Sequence, residues 1–386
     1  MKLTKLFYEF YENAKGGVLL IFCTVISLLL ANSSIGSDYL GFWHRPLAGL
    51  TIEHWINDGL MAIFFLLIGL ELKRELLVGE LSNKKNALLP VIAAVGGMLV
   101  PAGIYAAINF GEITQSGTGI PMATDIAFAI GVLSLLGSRI PASLKILLTA
   151  IAVIDDLGAI IVIALFYTDS LSLASLSVVL VIFIVLLLIN KFGFKGLWLY
   201  LLGGAAMWYF MLQSGIHATL AGILLAFCIP FGKGEKETLS YRLQNALDEP
   251  VARIILPIFA LANTAIVFAA GWDTNLATAG SLGIFAGLVI GKPLGIVLFS
   301  LAAVSLRWCV LPTGLNWKHV TGIGFLAGIG FTMSIFITLL AFDDPMLITE
   351  AKISILLASL ISGTLGFLWL RRALKPKPKP VTARRK

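Results

Sequence analysis

The stretch Ile146–Thr168, ILLTAIAVIDDLGAIIVIALFYT, decides the fold. Its only charged residues are Asp155 and Asp156, which are adjacent and lie near its midpoint. At about 1.5 Å of rise per residue, a helix of this length just spans the ~30 Å hydrocarbon core of a bilayer. A carboxylate at that depth costs roughly 2.5–3.5 kcal/mol even on the gentler insertion scales. Other parts of the chain must therefore compensate two buried acids.

The composition indicates a membrane protein. Hydrophobic residues make up 58% of the chain and charged residues only 13%, and the mean hydropathy is +0.95. These values exclude an ordinary soluble domain. Because apolar runs recur throughout, we predict a single all-α polytopic integral membrane domain over residues 1–386, with no cleaved signal before the first span. The cysteines at 23, 228 and 309 lie inside apolar runs without metal-ligand spacing, as small core residues do.

The apolar runs predict about twelve transmembrane spans, and the basic residues orient them. All but three of the 28 Lys and Arg residues fall on one side of these spans, the exceptions being Arg45, Lys292 and Lys352. This pattern places both termini in the cytoplasm and excludes nucleic-acid binding as the reason for the net charge of +7. The basic tail 371–386 is predicted to be disordered beside the membrane, with lipid or partner binding as the alternative. The predicted spans are 13–31, 59–81, 88–108, 121–138, 143–168, 173–190, 197–212, 216–230, 250–270, 281–303, 319–341 and 350–371.

The longest predicted external segment, Asn32–Asn57, joins the first two spans. Its stretches Leu50–Ile52 and His54–Ile56 predict a small β-hairpin within about 43–57. This hairpin is either a simple connector or a contact between two copies of the chain.

A few ionisable residues lie away from the ends of the predicted spans. They are Asp125, Asp155, Asp156, Lys292, and Asp58 at the external start of the second span. Charges at membrane depth indicate a functional site. The alternative is that they pair only to hold helices together.

Two spans are predicted to be broken. Only 13 uncharged residues, Ile126–Ser138, follow Asp125 in the fourth span, about 20 Å of helix, which is too short to cross the core. The breaker-rich segment before them ends in Thr124 and Asp125, which suit the cap of a half-helix that begins at Ile126. The eleventh span carries glycines at 322, 324, 328 and 330, for which close helix packing is the alternative explanation.

The two broken spans run in opposite directions in this topology. Residues of about 88–168 and 281–371 are therefore predicted to form two inverted three-helix repeats, each with a broken middle helix. Such pairs indicate the ion site of a secondary transporter. Half-helix ends carry partial charges of about ±0.5. Asp125 can neutralise the positive ends, and Lys292 can neutralise the negative ends or pair with Asp155 or Asp156.

The two adjacent acids predict exchange of a cation for protons. Neighbouring residues project about 100° apart on a helix, so one of the two can face the broken helices and the other a water-filled funnel. Paired buried carboxylates can release protons to a hard cation near neutral pH. Oxygen ligands without a His or Cys cluster favour Na⁺ or Li⁺ over a transition metal. No cofactor is expected.

The chain resembles the NhaA family of bacterial Na⁺/H⁺ antiporters over nearly its whole length. The order and spacing of five stretches carry this resemblance more than any single stretch does. They are NDGLMAIFFLLIGLELKRE (57–75), PMATDIAF (121–128), VIDDLGAI (153–160), SGIHAT (214–219) and GKPLG (291–295).

The resemblance implies a role for each matched residue. Asp155 and Asp156 would bind the ion and protons, with Asp156 as the central ligand, while Thr124 and Asp125 would support the site at the helix break. Lys292 would interact with Asp155 in one state. Asp58 would be an accessory residue. The family is not enzymatic: its members are electrogenic, reside in the bacterial inner membrane among its lipids, and dimerise through the external hairpin.

The pH response is where the sequence departs from the family pattern. The resemblance implies an acid and histidines at the cytoplasmic entry to the ninth span, where this chain has Gln244 and Asn245, which cannot titrate. Either nearby acids replace them or pH sensing is altered. The candidate sensors are Asp248, Glu249, Glu71, Glu75 and His217, although solvated or packing roles are equally consistent with these residues.

Other functions fit the pattern less well. A Na⁺-coupled symporter of a small solute would need a larger polar cavity. An intramembrane aspartyl protease would need two acids on different helices, such as Asp125 and Asp155, that share a water molecule. A cation channel would have no use for titrating acids.

Overall fold

The structure, a computed structural model, describes residues 2–167, 171–232, 238–268 and 277–374. Thr168 and residues 375–386 of the predicted tail lie outside the described residues. The helices are α1 Lys2–Ala31, α2 Gly36–Trp43, α3 Ile52–His54, α4 Met61–Leu77, α5 Lys84–Ile108, α6 Ile126–Ser134, α7 Ala142–Phe166, α8 Leu173–Lys191, α9 Leu197–Leu212, α10 Leu220–Cys228, α11 Leu239–Pro250, α12 Leu256–Asn263, α13 Ala279–Ala286, α14 Lys292–Ser305, α15 Trp317–Ala327, α16 Phe331–Ala341 and α17 Pro345–Ala373.

The helices make this a multi-pass membrane protein. In the described part of the chain, seven helical segments are long and apolar enough to cross a membrane, and two bent pairs raise that number to nine. One bent pair, α15 and α16, is the predicted broken span, with an angle of 46° between its halves. The other joins α1 to α2 at 118°, and α2 lies in a segment for which the sequence predicts no helix.

Some predicted spans differ in length from the helices observed. Within 216–230 the helix α10 has only nine residues. Helix begins before the predicted span 250–270, because α11 starts at Leu239 and continues through Val251–Ile255 into α12. Because α11 contains charged residues, its hydropathy does not predict this extension of the helix. Residues 269 and 270 of the predicted span lie outside the described residues.

A short β-hairpin does lie between the first two long helices, but its strands differ from the predicted ones. Strands β1, Pro46–Leu47, and β2, Leu50–Thr51, pair antiparallel. Ala48 and Gly49 form the turn with φ of 51° and 91°, the left-handed pair that a two-residue hairpin turn requires. The predicted strand His54–Ile56 is wrong, since Ile52–His54 is helical and Thr51 caps this helix by accepting a hydrogen bond from the His54 amide.

In the part of the chain that the structure describes, three π-helical turns interrupt long helices. They are Trp55–Leu60 before α4, Val251–Ile255 before α12, and Gly287–Gly291 before α14. Such turns often occur at functional sites. The first contains Asp58 and the last ends directly before Lys292, so both affect where a candidate site residue points.

Glycines let α5 and α14 pack closely enough to hold the site. A Cβ atom added to Gly295 would collide with the backbone of Gly96, and one added to Gly97 would press on Ile296. Close approach of this kind needs residues without side chains. Because α14 begins at Lys292, this contact fixes the helix that carries the buried lysine.

Candidate ion-binding site

The site is built where two broken helices cross. Ala123 and Asp125 have extended backbones between a 3₁₀ helix, Gln115–Met122, and α6. Opposite them, α15 ends at Ala327 and α16 begins at Phe331. The Asp125 amide donates to the Ile329 carbonyl at 2.7 Å. A backbone amide at the first helix break thus donates to a backbone carbonyl at the second.

Asp125 caps both half-helices. α6 begins at Ile126, as the sequence predicts, and Asp125 Oδ1 accepts a hydrogen bond from the Phe128 amide at 2.9 Å. Its Oδ2 accepts from the Thr332 amide at 3.1 Å and from the Thr332 hydroxyl at 2.5 Å, in the first turn of α16. One carboxylate therefore faces the positive ends of two helices.

Lys292 pairs with Asp155. Both side chains are fully buried, and the ammonium lies 2.5 Å from Asp155 Oδ2. The Thr124 hydroxyl accepts from Lys292 at 2.8 Å, and its own proton has two acceptors in reach, Asp155 Oδ2 at 2.7 Å and the Ala327 carbonyl at 2.9 Å. The sequence leaves open whether Lys292 pairs with Asp155 or with Asp156. In this conformation its partner is Asp155.

Asp156 has no partner for either carboxylate oxygen. It is 1% exposed, and in the part of the chain that the structure describes neither Asp156 oxygen nor Asp155 Oδ1 accepts a hydrogen bond. Buried polar atoms are almost always paired, and an unpaired buried charge is costly. These three oxygens therefore lack protein partners and are available to protons or to a cation. They provide the ligands that a hard cation prefers.

No richer metal cluster accompanies this pair. Over the described ranges, no group of three or more His, Cys, Asp or Glu side chains has the arrangement of a metal site. Two carboxylates with one nearby lysine are thus the ionisable content of the crossing, together with the capping residue Asp125.

One group of acids lies near the end of α4. Glu71 is hydrogen-bonded to the Gln244 amide side chain, and its charge interacts with Asp248. It also repels the charge of Asp156. Glu71, Gln244 and Asp248 are therefore brought together, and Gln244 is a hydrogen-bond partner that is not among the predicted sensors.

Two predicted sensors have local partners instead. Glu75 lies 3.6 Å from Arg74, and its side chain accepts a hydrogen bond from the Glu80 amide at 3.1 Å. Glu249 is largely exposed and pairs with Arg253 at 2.5 Å. Neither contact reaches the Asp155–Asp156 pair.

Asp58 and His217 border a separate cavity of about 410 Å³. Asp58 Oδ2 lies 3.1 Å from His54 Nε2, and the charges of Asp58 and His217 interact. Phe336 and Leu340 of α16 form part of the apolar wall. From the sequence alone His54 has the pattern of an ordinary loop or packing residue, although its spacing of four residues from Asp58 on a helix is a signal for this pair.

Thr332 is the functional residue that sequence reasoning misses most clearly. Its amide and hydroxyl both bond to Asp125, 207 positions away in the chain. The only local signal is its place just after the glycines of the second break.

Fold and site together define a class, a multi-pass membrane transporter with a buried carboxylate pair at crossed broken helices. A model of the Na+/H+ antiporter 1 family matches residues 9–370. The chain belongs to this family.

Curated relatives agree over almost the full length of both chains. The Na(+)/H(+) antiporter NhaA 1 of Flavobacterium johnsoniae is 60% identical over 97% of this chain and 98% of its own. The Na(+)/H(+) antiporter NhaA of Dechloromonas aromatica is 59% identical over 96% of each chain. The Na(+)/H(+) antiporter NhaA of Escherichia coli O1:K1 / APEC is 48% identical over 95% of this chain and 98% of its own.

Proposed function

We propose that this protein is an electrogenic Na⁺/H⁺ antiporter that also carries Li⁺. It exports Na⁺ in exchange for protons by alternating access at Asp155 and Asp156, and so serves Na⁺ and pH homeostasis. The observation that carries the proposal is the set of three unpartnered carboxylate oxygens on these residues. The names of its full-length relatives give independent support.

Competition between protons and Na⁺ for Asp155 and Asp156 explains how the export of Na⁺ is coupled to the entry of protons. Protons complete the carboxylates when Na⁺ is absent, and Na⁺ replaces those protons when it enters. With Lys292 charged, the Na⁺-loaded site carries no net charge and the doubly protonated site carries one positive charge. Either loaded form can change its exposure to the two sides, whereas the empty site, with both acids ionised and three unpartnered oxygens, is costly to move. Two acids exchange protons against one Na⁺, so more protons enter than Na⁺ ions leave.

Lys292 and Thr124 assist this competition. The ammonium holds Asp155 Oδ2, which leaves Asp155 Oδ1 and both oxygens of Asp156 for the transported ion. Entry of Na⁺ beside a lysine raises the local positive charge and favours release of protons. Asp125 is a supporting residue in this scheme, because its oxygens are engaged with α6 and α16.

The proposed arrangement in the bacterial inner membrane has twelve spans and cytoplasmic termini. The two repeats, about 88–168 and 281–371, would be related by inversion, and the crossing of their broken middle helices supports this view. The hairpin within 43–57 would mediate a homodimer. The basic segment from 371 would lie beside lipid headgroups.

The pH response is assigned to the group formed by Glu71, Gln244 and Asp248. Glu71 links this group electrostatically to Asp156. Glu75, Glu249 and His217 would be secondary sensors, and Asp58 an accessory residue at the cavity it borders.

An intramembrane aspartyl protease is disfavoured by the same contacts. Its two acids would have to share a water molecule. Asp125 is bonded to two helix starts and Asp155 to Lys292.

Reconstitution into liposomes with an internal pH dye tests the proposal. Added Na⁺ or Li⁺ should move protons, and K⁺ should do little. A K⁺ diffusion potential set with valinomycin should change the rate, since the exchange moves net charge. Asp156→Asn should abolish the signal and Asp155→Asn should nearly do so, while the exposed Asp344→Asn should not alter it. Normal exchange by Asp156→Asn would exclude the proposed site.

A further inference from the structure

A second cavity, of about 420 Å³, opens between α1, α6, α16 and α17. We call it the apolar groove. α1 and α6 touch at Gly17 and Gly131, where a Cβ atom on either glycine would crowd the other backbone. The groove begins beyond this crossing, from Ile21 onward. It is lined by Ile21, Thr24, Val25, Leu28, Phe128, Val132, Leu135, Phe331, Leu356, Ser359, Leu360, Gly363, Thr364, Phe367 and Leu368.

The chemistry of the groove excludes a polar ligand. Among the described residues no charged side chain lines it, and each of its three hydroxyl groups already bonds to the backbone. Thr24 donates to the Leu20 carbonyl at 2.8 Å and Thr364 to the Leu360 carbonyl at 2.7 Å, while Ser359 accepts from the Phe331 amide at 3.1 Å. A ligand that fits must therefore be hydrocarbon, since a polar group would lose its water without replacement.

The position of the groove identifies the source of that hydrocarbon. Exposed apolar residues border it on both walls, with Val25 48% exposed on α1 and Leu360 66% exposed on α17. α17 is long and apolar enough to cross a membrane, and α1 belongs to a bent pair that passes the same test. Apolar surface on a spanning helix faces acyl chains. The groove is thus continuous with the surface that meets the bilayer core.

The floor of the groove reaches the candidate ion site. Phe128 and Phe331 line the groove, and their rings meet edge to face with centroids 5.5 Å apart. Phe128 lies in the first turn of α6 and Phe331 starts α16, the two helices that Asp125 caps. Anything that packs against this ring pair also packs against the point where the broken helices meet.

We propose that the apolar groove binds one acyl chain of a membrane phospholipid, and that this chain supports the Phe128–Phe331 contact between the two half-helices. The groove is a defined lipid site, distinct from the general lipid-facing surface. The helix α8 represents the general lipid-facing surface, because it is apolar and only 11% of its most apolar stretch is buried.

Photolabelling in vesicles tests the site. The full-length protein is reconstituted in phosphatidylethanolamine and phosphatidylglycerol with a trace of phosphatidylglycerol that carries a diazirine on one acyl chain. After irradiation, peptides from 21–28 and 356–368 should be labelled several-fold more than peptides from α8. Labelling no higher than that of α8 would overturn the proposal. Labelling of the groove by a free diazirine fatty acid but not by the phospholipid would also overturn it.

A matched pair of variants on α1 makes the test specific. Val25→Trp places an indole in the groove and should reduce groove labelling several-fold, to the level of α8. Leu29→Trp adds the same side chain to the same helix at a residue that is 66% exposed and does not line the groove. It should leave labelling unchanged. Wild-type labelling in Val25→Trp, or an equal loss in both variants, contradicts a site at this position.

A stability measurement tests the supporting role separately. Adding phosphatidylglycerol to the protein in detergent should raise the melting temperature of the wild type and of Leu29→Trp. The rise should be clearly smaller in Val25→Trp, because the indole already packs where the acyl chain would. An equal rise in all three proteins would contradict a role for the groove in holding the half-helices together.

Discussion

Asp125 and Asp156 are both buried, with 2% and 1% of their surface exposed, yet their surroundings are opposite. Both oxygens of Asp125 accept hydrogen bonds from the starts of two helices. Neither oxygen of Asp156 has a partner. A buried acid that is satisfied by the protein stabilises the fold. A buried acid that the protein leaves unsatisfied is available to a proton or to Na⁺.

The largest expected effect is on transport in Asp156→Asn. The amide cannot exchange protons, so Na⁺-driven and Li⁺-driven proton movement in liposomes should fall to the background of protein-free vesicles. Without Na⁺, the melting temperature should stay the same or rise, because the substitution replaces a buried acid whose oxygens accept no hydrogen bond from the described residues. Retained exchange, or a clear loss of stability, would make Asp156 a structural residue like Asp125.

The second effect is on stability in Asp125→Asn. The amide keeps one acceptor oxygen but loses the charge that faces two helix starts, at a cost of about 2–4 kcal/mol. Thermal unfolding in detergent should show a marked fall. Asp344→Asn is the control, since Asp344 caps α17 from an exposed position through one bond to Met346. A fall no larger than that of the control would contradict the double cap.

Lys73 and Lys292 are both buried and show the same contrast between a structural residue and a residue of the ion site. Lys73 donates to three carbonyls at the end of α10, those of Ala226, Phe227 and Ile229, whereas Lys292 holds the Asp155 carboxylate. Lys73→Met should cost about 1–3 kcal/mol of stability and leave the apparent KM for Na⁺ near that of the wild type. Lys292→Met should change the KM for Na⁺ and the pH profile of exchange. The reverse pattern would mean that Lys292 is the structural lysine.

The smallest effect is expected for Thr332→Val. The substitution removes one hydroxyl from Asp125 but keeps the Thr332 amide bond, so it should cost about 1 kcal/mol. Combined with Asp125→Asn, it should add less than its single effect, because both changes act on one network. Strict additivity of the two melting shifts would indicate that the hydroxyl does not bond to Asp125.

Local features were predictable from the sequence where local chemistry determines them. The helix around Asp155 and Asp156 follows from length and hydropathy. The start of α6 at Ile126 follows from the capping ability of Asp125, and the break between α15 and α16 follows from the glycines at 328 and 330. In each case the deciding residues lie within a few positions of the feature.

Pairings across the chain were not predictable in the same way. Lys292 reaches Asp155 over 137 positions, and whether it would choose Asp156 depends on rotation of α7, which no local pattern sets. The hydrogen bonds between Thr332 and Asp125 and between Gln244 and Glu71 likewise join residues that are far apart in the chain. The π-helical turn before Lys292 also has no local signal, because it shifts the helix by a single residue.

Proton release on Na⁺ binding is the most direct test of the central claim that protons and Na⁺ compete for Asp155 and Asp156. Calorimetric titration of the purified protein with NaCl, in two buffers of different ionisation enthalpy at alkaline pH, measures the protons released per bound ion. We predict release in the wild type and in Asp125→Asn, and neither binding nor release in Asp156→Asn. Na⁺ binding without proton release in the wild type, or equal release from Asp156→Asn, would contradict the account.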